Sequence, residues 1–143
     1  MSKSNTFENS WLLLIFNGTA IADLAENDTT SPLTNLYVAL HTSDPGEAGT
    51  QSTNEISYTG YARVAVARTA GGWTVTANSV SPVANIDFGE MTAGAGGTVT
   101  HASVGTLASG AGIILYSGTV TPNISVVNGT IPRLPTGSAI TED

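Results

Sequence analysis

The sequence predicts a mainly β fold, a single-domain β-sandwich or jelly roll preceded by an N-terminal α-helix. Three observations carry that prediction. Short runs of strand-forming residues recur along the chain, and turn signals built on glycine, proline and asparagine separate them at roughly 8–12-residue spacing. The one segment with apolar residues at helical spacing lies ahead of them. With 143 residues, 41% of them hydrophobic, the chain suits one domain with a real core. It divides into an N-terminal helical segment, residues 1–30, and a β-sandwich domain, residues 31–143, as one compact unit without linker or internal repeat.

The helix is expected to start at Asn5, where Glu8 three positions on completes a capping pattern, and to stop at Asn17-Gly18. Phe7, Trp11, Leu14 and Ile15 share one face, and Leu12, Leu13 and Phe16 cover much of the remaining circumference. A helix apolar nearly all round is buried on more than one side. It is either sunk in its own domain's core or packed between its own sheet and a neighbouring subunit. Phe7, Trp11, Leu12, Leu14, Ile15 and Phe16 are therefore the candidate interface residues. Lys3, Trp11 to Phe16 and Ala20-Ile21-Ala22 imitate a secretory leader, but Glu8 stands where a leader is basic and the apolar core is only six residues long. A shorter helix is expected from Thr19 to Ala25, ended by Ser31-Pro32.

Leu36-Tyr37-Val38-Ala39-Leu40 reads as the first strand. Asp44-Pro45-Gly46 ends it, because proline fixes φ for the second position of a turn and glycine tolerates the positive φ of the third. The polar stretch from Thr50 to Tyr58 is expected as an exposed loop and a candidate contact surface. In the next strand Ala62, Val64 and Val66 alternate with Tyr61, Arg63 and Ala65, which places Arg63 outward, solvated or at an interface. Further strands are expected at Trp73–Ala77, around Ile86 and Phe88, at Thr98–Val104, at Gly112–Val120 and at Asn123–Ile131 with a turn at Asn128-Gly129. Pro82, Gly89, the Gly94–Gly97 cluster, Gly110 and Pro122 punctuate them.

Composition narrows function. Only 10% of residues are charged, and Met91 to Pro132 contains no Asp, Glu, Lys or Arg, where a soluble domain carries about 25%. A large uncharged surface rich in Thr, Ser and Gly suits repeated subunit contact. A net charge of −7 with four basic residues excludes nucleic acid as a partner. No apolar run approaches the roughly 20 residues of a membrane-spanning helix. With no cysteine, thiol chemistry is absent.

Catalytic patterns are equally sparse. There is no G-x-S-x-G elbow, and His41 and His101 read as hydrogen-bonded structural residues. Neither a shared metal nor a nucleotide cofactor is expected, because the histidines lack ligand spacing and the Gly94–Gly97 cluster lacks a lysine and a following helix. Asp23, Glu26 and Asp28 lack the glycine and distal glutamate of a calcium loop. The Asn-x-Ser/Thr matches at Asn17, Asn27, Asn123 and Asn128 are incidental without secretion.

The segment LYVALHTSDPGEAGTQSTNEISYTGYARVAV, from Leu36 to Val66, resembles a family of small tailed-bacteriophage virion proteins known as tail fibre or minor tail proteins. The resemblance continues through GWTVTANSVSP, GAGIILYSGTVTPNISVVNG and the closing ITED, and so covers most of the chain. It implies a virion protein, a tail-fibre or tail-tip component; together with the sparse catalytic patterns and the apolar and uncharged segments, the expectation is a non-enzymatic protein forming a homo-oligomer, a trimer, with other phage structural proteins and meeting the host surface. The alternatives are a capsid decoration (cement) protein and a tail glycan hydrolase working through a pair of carboxylates.

Overall fold

A computed structural model describes residues 3–21, 25 and 32–142. The chain is mainly β, with one N-terminal helix and several antiparallel sheets, as expected of a β-sandwich. In order the elements are α1 (Asn5–Asn17), β1 (Asn35–His41), β2 (Val64–Ala67), β3 (Trp73–Thr76), β4 (Ser79–Pro82), β5 (Ile86–Asp87), β6 (Gly97–Gly105), β7 (Ile114–Val126), β8 (Arg133–Leu134) and β9 (Ile140–Thr141). They fall into two compact units. The first comprises Met1–Asn35, Val66–Ile86 and Leu134–Asp143, the second Leu36–Ala65 and Asp87–Arg133.

In the first unit α1 is capped by Ser4, whose hydroxyl accepts from the Phe7 amide at 3.3 Å. The expected cap at Asn5 is thus corrected by one residue: the extended Ser4 reaches the third helical amide, and Asn5 is already helical. The helix ends where Asn17-Gly18 signals, with Gly18 at φ 67° and its amide on the Leu13 carbonyl. Glu8, Leu12 and Phe16 form the buried stripe, and the Phe16 ring meets Trp73 edge-on at 4.9 Å. The last turn carries no basic residue. Arg68 supplies the charge instead, donating Nε to the Ile15 carbonyl at 2.6 Å and Nη2 to that of Leu14. A guanidinium there satisfies two orphan carbonyls and the negative end of the helix dipole.

Strand β4 is central in the order β3-β4-β9 and pairs antiparallel with both neighbours. The sequence pattern hides it, because Pro82 reads as a break; the proline takes only the last strand position, opposite Trp73. Asn9 donates to the Ala77 carbonyl at 2.8 Å. Lys3 pairs with Glu142 at 2.7 Å. The expected helix from Thr19 to Ala25 is not formed at its ends: Ile21 and Ala25 donate to each other's carbonyls at 2.8 Å, an antiparallel bridge. Residues 22–24, and with them Asp23, lie outside the described residues, as do Glu26 and Asp28.

In the second unit β1 pairs antiparallel with β6, from Tyr37 opposite Gly105 to His41 opposite His101, and β6 pairs antiparallel with β7. The sheet order is β2-β1-β6-β7, so β7 is an edge strand. Leu36, Val38, Leu40, Val99, Val104 and Val126 are buried with Ile56, Tyr58, Phe88 and Met91. The expected break at Pro122 is a bulge rather than a strand end. Val99 faces Ile124 and His101 faces Thr119, so Val120 to Asn123 stand opposite Thr100 alone. An edge position tolerates proline because its missing donor faces away from the ladder. Phe88 is buried while Asp87 is exposed and ion-paired with Arg133, whose guanidinium holds the Asp87 carboxyl below its usual range.

Candidate functional site

The second unit concentrates its chemistry behind β1. The chain leaves that strand through Asp44-Pro45-Gly46, where the Gly46 amide donates to Asp44 Oδ1 at 2.8 Å and Gly46 takes φ +70°. Asp44 and Gly46 are exposed and Pro45 is buried. Asn54 closes the excursion, donating its side-chain amide to the Asp44 carbonyl at 3.0 Å. The Ile56 amide then returns to the Leu40 carbonyl at 2.9 Å.

The segment from Thr50 to Tyr58 is not the uniformly exposed loop the sequence suggests. Gln51 is fully buried, and Ile56 and Tyr58 are buried with it, while Ser52, Asn54 and Ser57 face out. Polarity is a poor guide here because Gln51 is satisfied inside: Nε2 donates to the Tyr37 carbonyl at 2.9 Å and Oε1 accepts from the Leu107 amide at 3.1 Å. Its own amide donates to the Gly112 carbonyl at 2.9 Å. A Cβ on Gly105 would lie 2.2 Å from Gln51 Cδ, and one on Gly112 2.3 Å from its Oε1, so glycine at both positions makes the room.

Arg63, expected outward, is 8% exposed. The alternation that places it outside starts at Tyr61, but β2 begins only at Val64, so the strand rule does not apply there. Arg63 donates Nε to Glu55 Oε1 at 2.8 Å and Nη2 to Oε2 at 2.7 Å, a bidentate pair. Its other donors reach the carbonyls of Leu107, 2.9 Å from Nη1, and Gly110, 2.7 Å from Nη2. The Tyr61 hydroxyl donates to the same Glu55 oxygen at 2.8 Å, and burial pushes the phenol's pKa up. Hydrogen bonding to Glu55 raises that of Arg63. Glu55, Tyr61 and Arg63 lie within nine residues of one another, but no regular spacing rule joins them, because the segment between Glu55 and Arg63 is neither helix nor strand.

His41 is fully buried. Its Nδ1 lies 2.9 Å from the Thr53 carbonyl, which can only accept, so the proton is assigned to Nδ1 and Nε2 accepts from Ser103 Oγ at 2.8 Å. Burial lowers its pKa, which keeps the ring neutral. The order carbonyl, imidazole, serine imitates a hydrolytic relay. Ser103 is 2% exposed, so its Oγ is turned into the sheet rather than towards solvent. As arranged, the pair stitches β1 to β6. His101, opposite His41, has Nδ1 2.9 Å from Thr100 Oγ1.

Of the candidate interface residues, Leu12 and Phe16 are fully buried in the first unit's core. Phe7, Leu14 and Ile15 are half-buried, and Trp11 is 38% exposed with its ring 6.4 Å from that of Phe7.

The polar groups of this site are therefore directed inward, onto backbone carbonyls and each other, and they hold loops in place. No curated protein matches the chain. Residues 2–142 match the family model described as podophage GP4 fiber I protein gp80. With the match spanning nearly the whole chain and the motifs from Leu36 to Val66 inside it, this protein belongs to that family, the small fibre proteins of the tailed-phage virion.

Proposed function

We propose that this protein is a non-enzymatic structural component of the tail fibre or tail tip, assembling as a homo-oligomer, a trimer, and docking onto other structural proteins of the particle. The observation that carries this reading is the inward use of chemistry. His41, Ser103, Gln51 and Arg63 are all buried and hydrogen-bonded within the second unit, while Met91 to Pro132 offers a surface without formal charge. A surface of that kind loses little on desolvation when another subunit covers it. The half-buried face of α1, with Phe7, Trp11, Leu14 and Ile15, is the proposed contact of the first unit.

Quantifying the protein in purified particles tests the placement: few copies per particle, removed together with the tail, are expected. Hundreds of copies retained on tailless heads would make it a capsid decoration protein. Incubating the purified chain with host surface polysaccharide tests the non-enzymatic part, with no product release expected. Reproducible release, lost on carboxylate substitution, would make it a glycan hydrolase instead.

A further inference from the structure

We propose that the interruptions in β7 are an anti-pairing device, which keeps the one long sheet edge of the second unit from taking up an extended strand of any neighbouring chain. Among the described residues the other sheet edges are short. β2 and β3 have four residues each, and β5, β8 and β9 have two each. β7 has thirteen, and in the order β2-β1-β6-β7 its outer side is an edge. Such an edge presents a row of backbone donors and acceptors to which another chain can bond, and charged side chains, proline, bulges or short length guard against it. β7 has no charged guard, since Ile114 to Val126 contains no Asp, Glu, Lys or Arg. Ser117–Thr119 and Thr121–Asn123 are exposed. Ile114 to Val120 has neither charge nor proline and is rich in strand formers, the composition of segments that pair between chains.

Broken register takes the place of charge. Tyr116–Thr119 and Ile124–Val126 each follow β6 one for one, but between them Val120 to Asn123, with Pro122 among them, stand opposite Thr100 alone. Leu115 is a second extra residue, between the partners of Gly105 and Val104. A bulge bends the strand and increases its local twist. A straight partner can therefore line up with only one short stretch of β7 at a time, and Pro122 removes a donor from the row. The long edge is thus cut into pieces no longer than the other edges of the molecule. The need for this comes from the virion, where neighbouring chains are held together at high local concentration.

Deleting Val120, Thr121 and Pro122 from the full chain tests the inference, because Asn123 then falls opposite Thr100 and the ladder runs unbroken from Val99–Ile124 to His101–Thr119. The deletion variant should keep the wild-type circular dichroism spectrum. In sedimentation velocity it should form large, thioflavin-positive species at concentrations where the wild type forms none. Adding Thr119→Lys, at an exposed position of the same edge, should abolish those species, since an edge lysine blocks backbone pairing. Association through exposed core would not respond to that lysine. A folded deletion variant that sediments as the wild type does, or large species that persist with Thr119→Lys, overturns the inference. If the deletion variant does not fold, hydrogen exchange on the wild-type protein in purified particles decides. The β7 amides that point away from β6 should exchange rapidly there; protection of those amides would show the edge paired and overturn the inference.

Discussion

His41 is a titratable residue held inside the fold by hydrogen bonds on both ring nitrogens. Its neutral ring donates to the Thr53 carbonyl and accepts from Ser103, and burial holds its pKa below the ordinary 6.5. Between the depressed folded value and 6.5 the unfolded chain binds the extra proton, so stability rises with pH in that window. The contribution is complete above 6.5 and is lost as pH falls towards the folded value. The stability gap between the wild type and His41→Gln, from urea denaturation, should therefore shrink from pH 7.5 to pH 5; a constant gap would show that the ring is not held neutral. Two glycines make a second contrast. Gly46 sits at φ +70°, and a Cβ added there would meet nothing within 4 Å, so Gly46→Ala carries only backbone strain, about 1–2 kcal/mol. Gly105→Ala meets Gln51 at 2.2 Å and is expected to cost about 1–3 kcal/mol through overpacking, with loss of order at residues 106–113 in hydrogen exchange. Gly46 was legible because Asp-Pro-Gly turn chemistry is local. Ser103 was not, since it meets His41 from 62 positions away.

Helix α1 was legible as an element and illegible as a surface. Its ends follow local rules, Ser4 at the start and Gly18 at the stop. Its buried stripe of Glu8, Leu12 and Phe16 did not stand out, because nearly every position from Trp11 to Phe16 is apolar and the side that becomes core is set by packing on distant residues such as Trp73, which meets Phe16. Leu12→Ala should then cost about 2–5 kcal/mol, as large-to-small changes in cores do. Trp11→Ser, at a position 38% exposed, should cost less than Leu12→Ala and act on particle incorporation as well. Equal destabilisation by the two in thermal melts would refute the assignment of faces. The far end of the helix depends on Arg68, whose two donors reach the carbonyls of Leu14 and Ile15 from a loop more than fifty residues away. Arg68→Met should lower stability by about 1–3 kcal/mol, the range for hydrogen bonds to a charged group, and reduce helical ellipticity. Lysine should restore only part of it, since a single ammonium cannot span two carbonyls in a fixed fork.

At the scale of the molecule, charge and its placement connect fold to assembly. Formal charges avoid the stretch from Met91 to Pro132, and in the second unit Arg63 and Glu55 neutralise each other at 2.7 Å. What remains is a net −7 carried by residues outside that run. Composition alone made this visible, whereas the buried role of Arg63 needed the fold, because strand alternation does not govern residues that precede the strand. If copies assemble through uncharged surface as proposed, they still feel repulsion between their charged regions, and exposed charges are screened over about 10 Å at 0.1 M salt and about 30 Å at 0.01 M. Self-association should therefore tighten as sodium chloride rises from 0.01 M to 0.1 M, the reverse of an interface held by complementary ion pairs. Sedimentation across that range measures it directly. Weaker association at higher salt would mean that opposite charges, Asp87 and Arg133 among the exposed ones, bridge the copies, and the uncharged surface would lose its place as the contact.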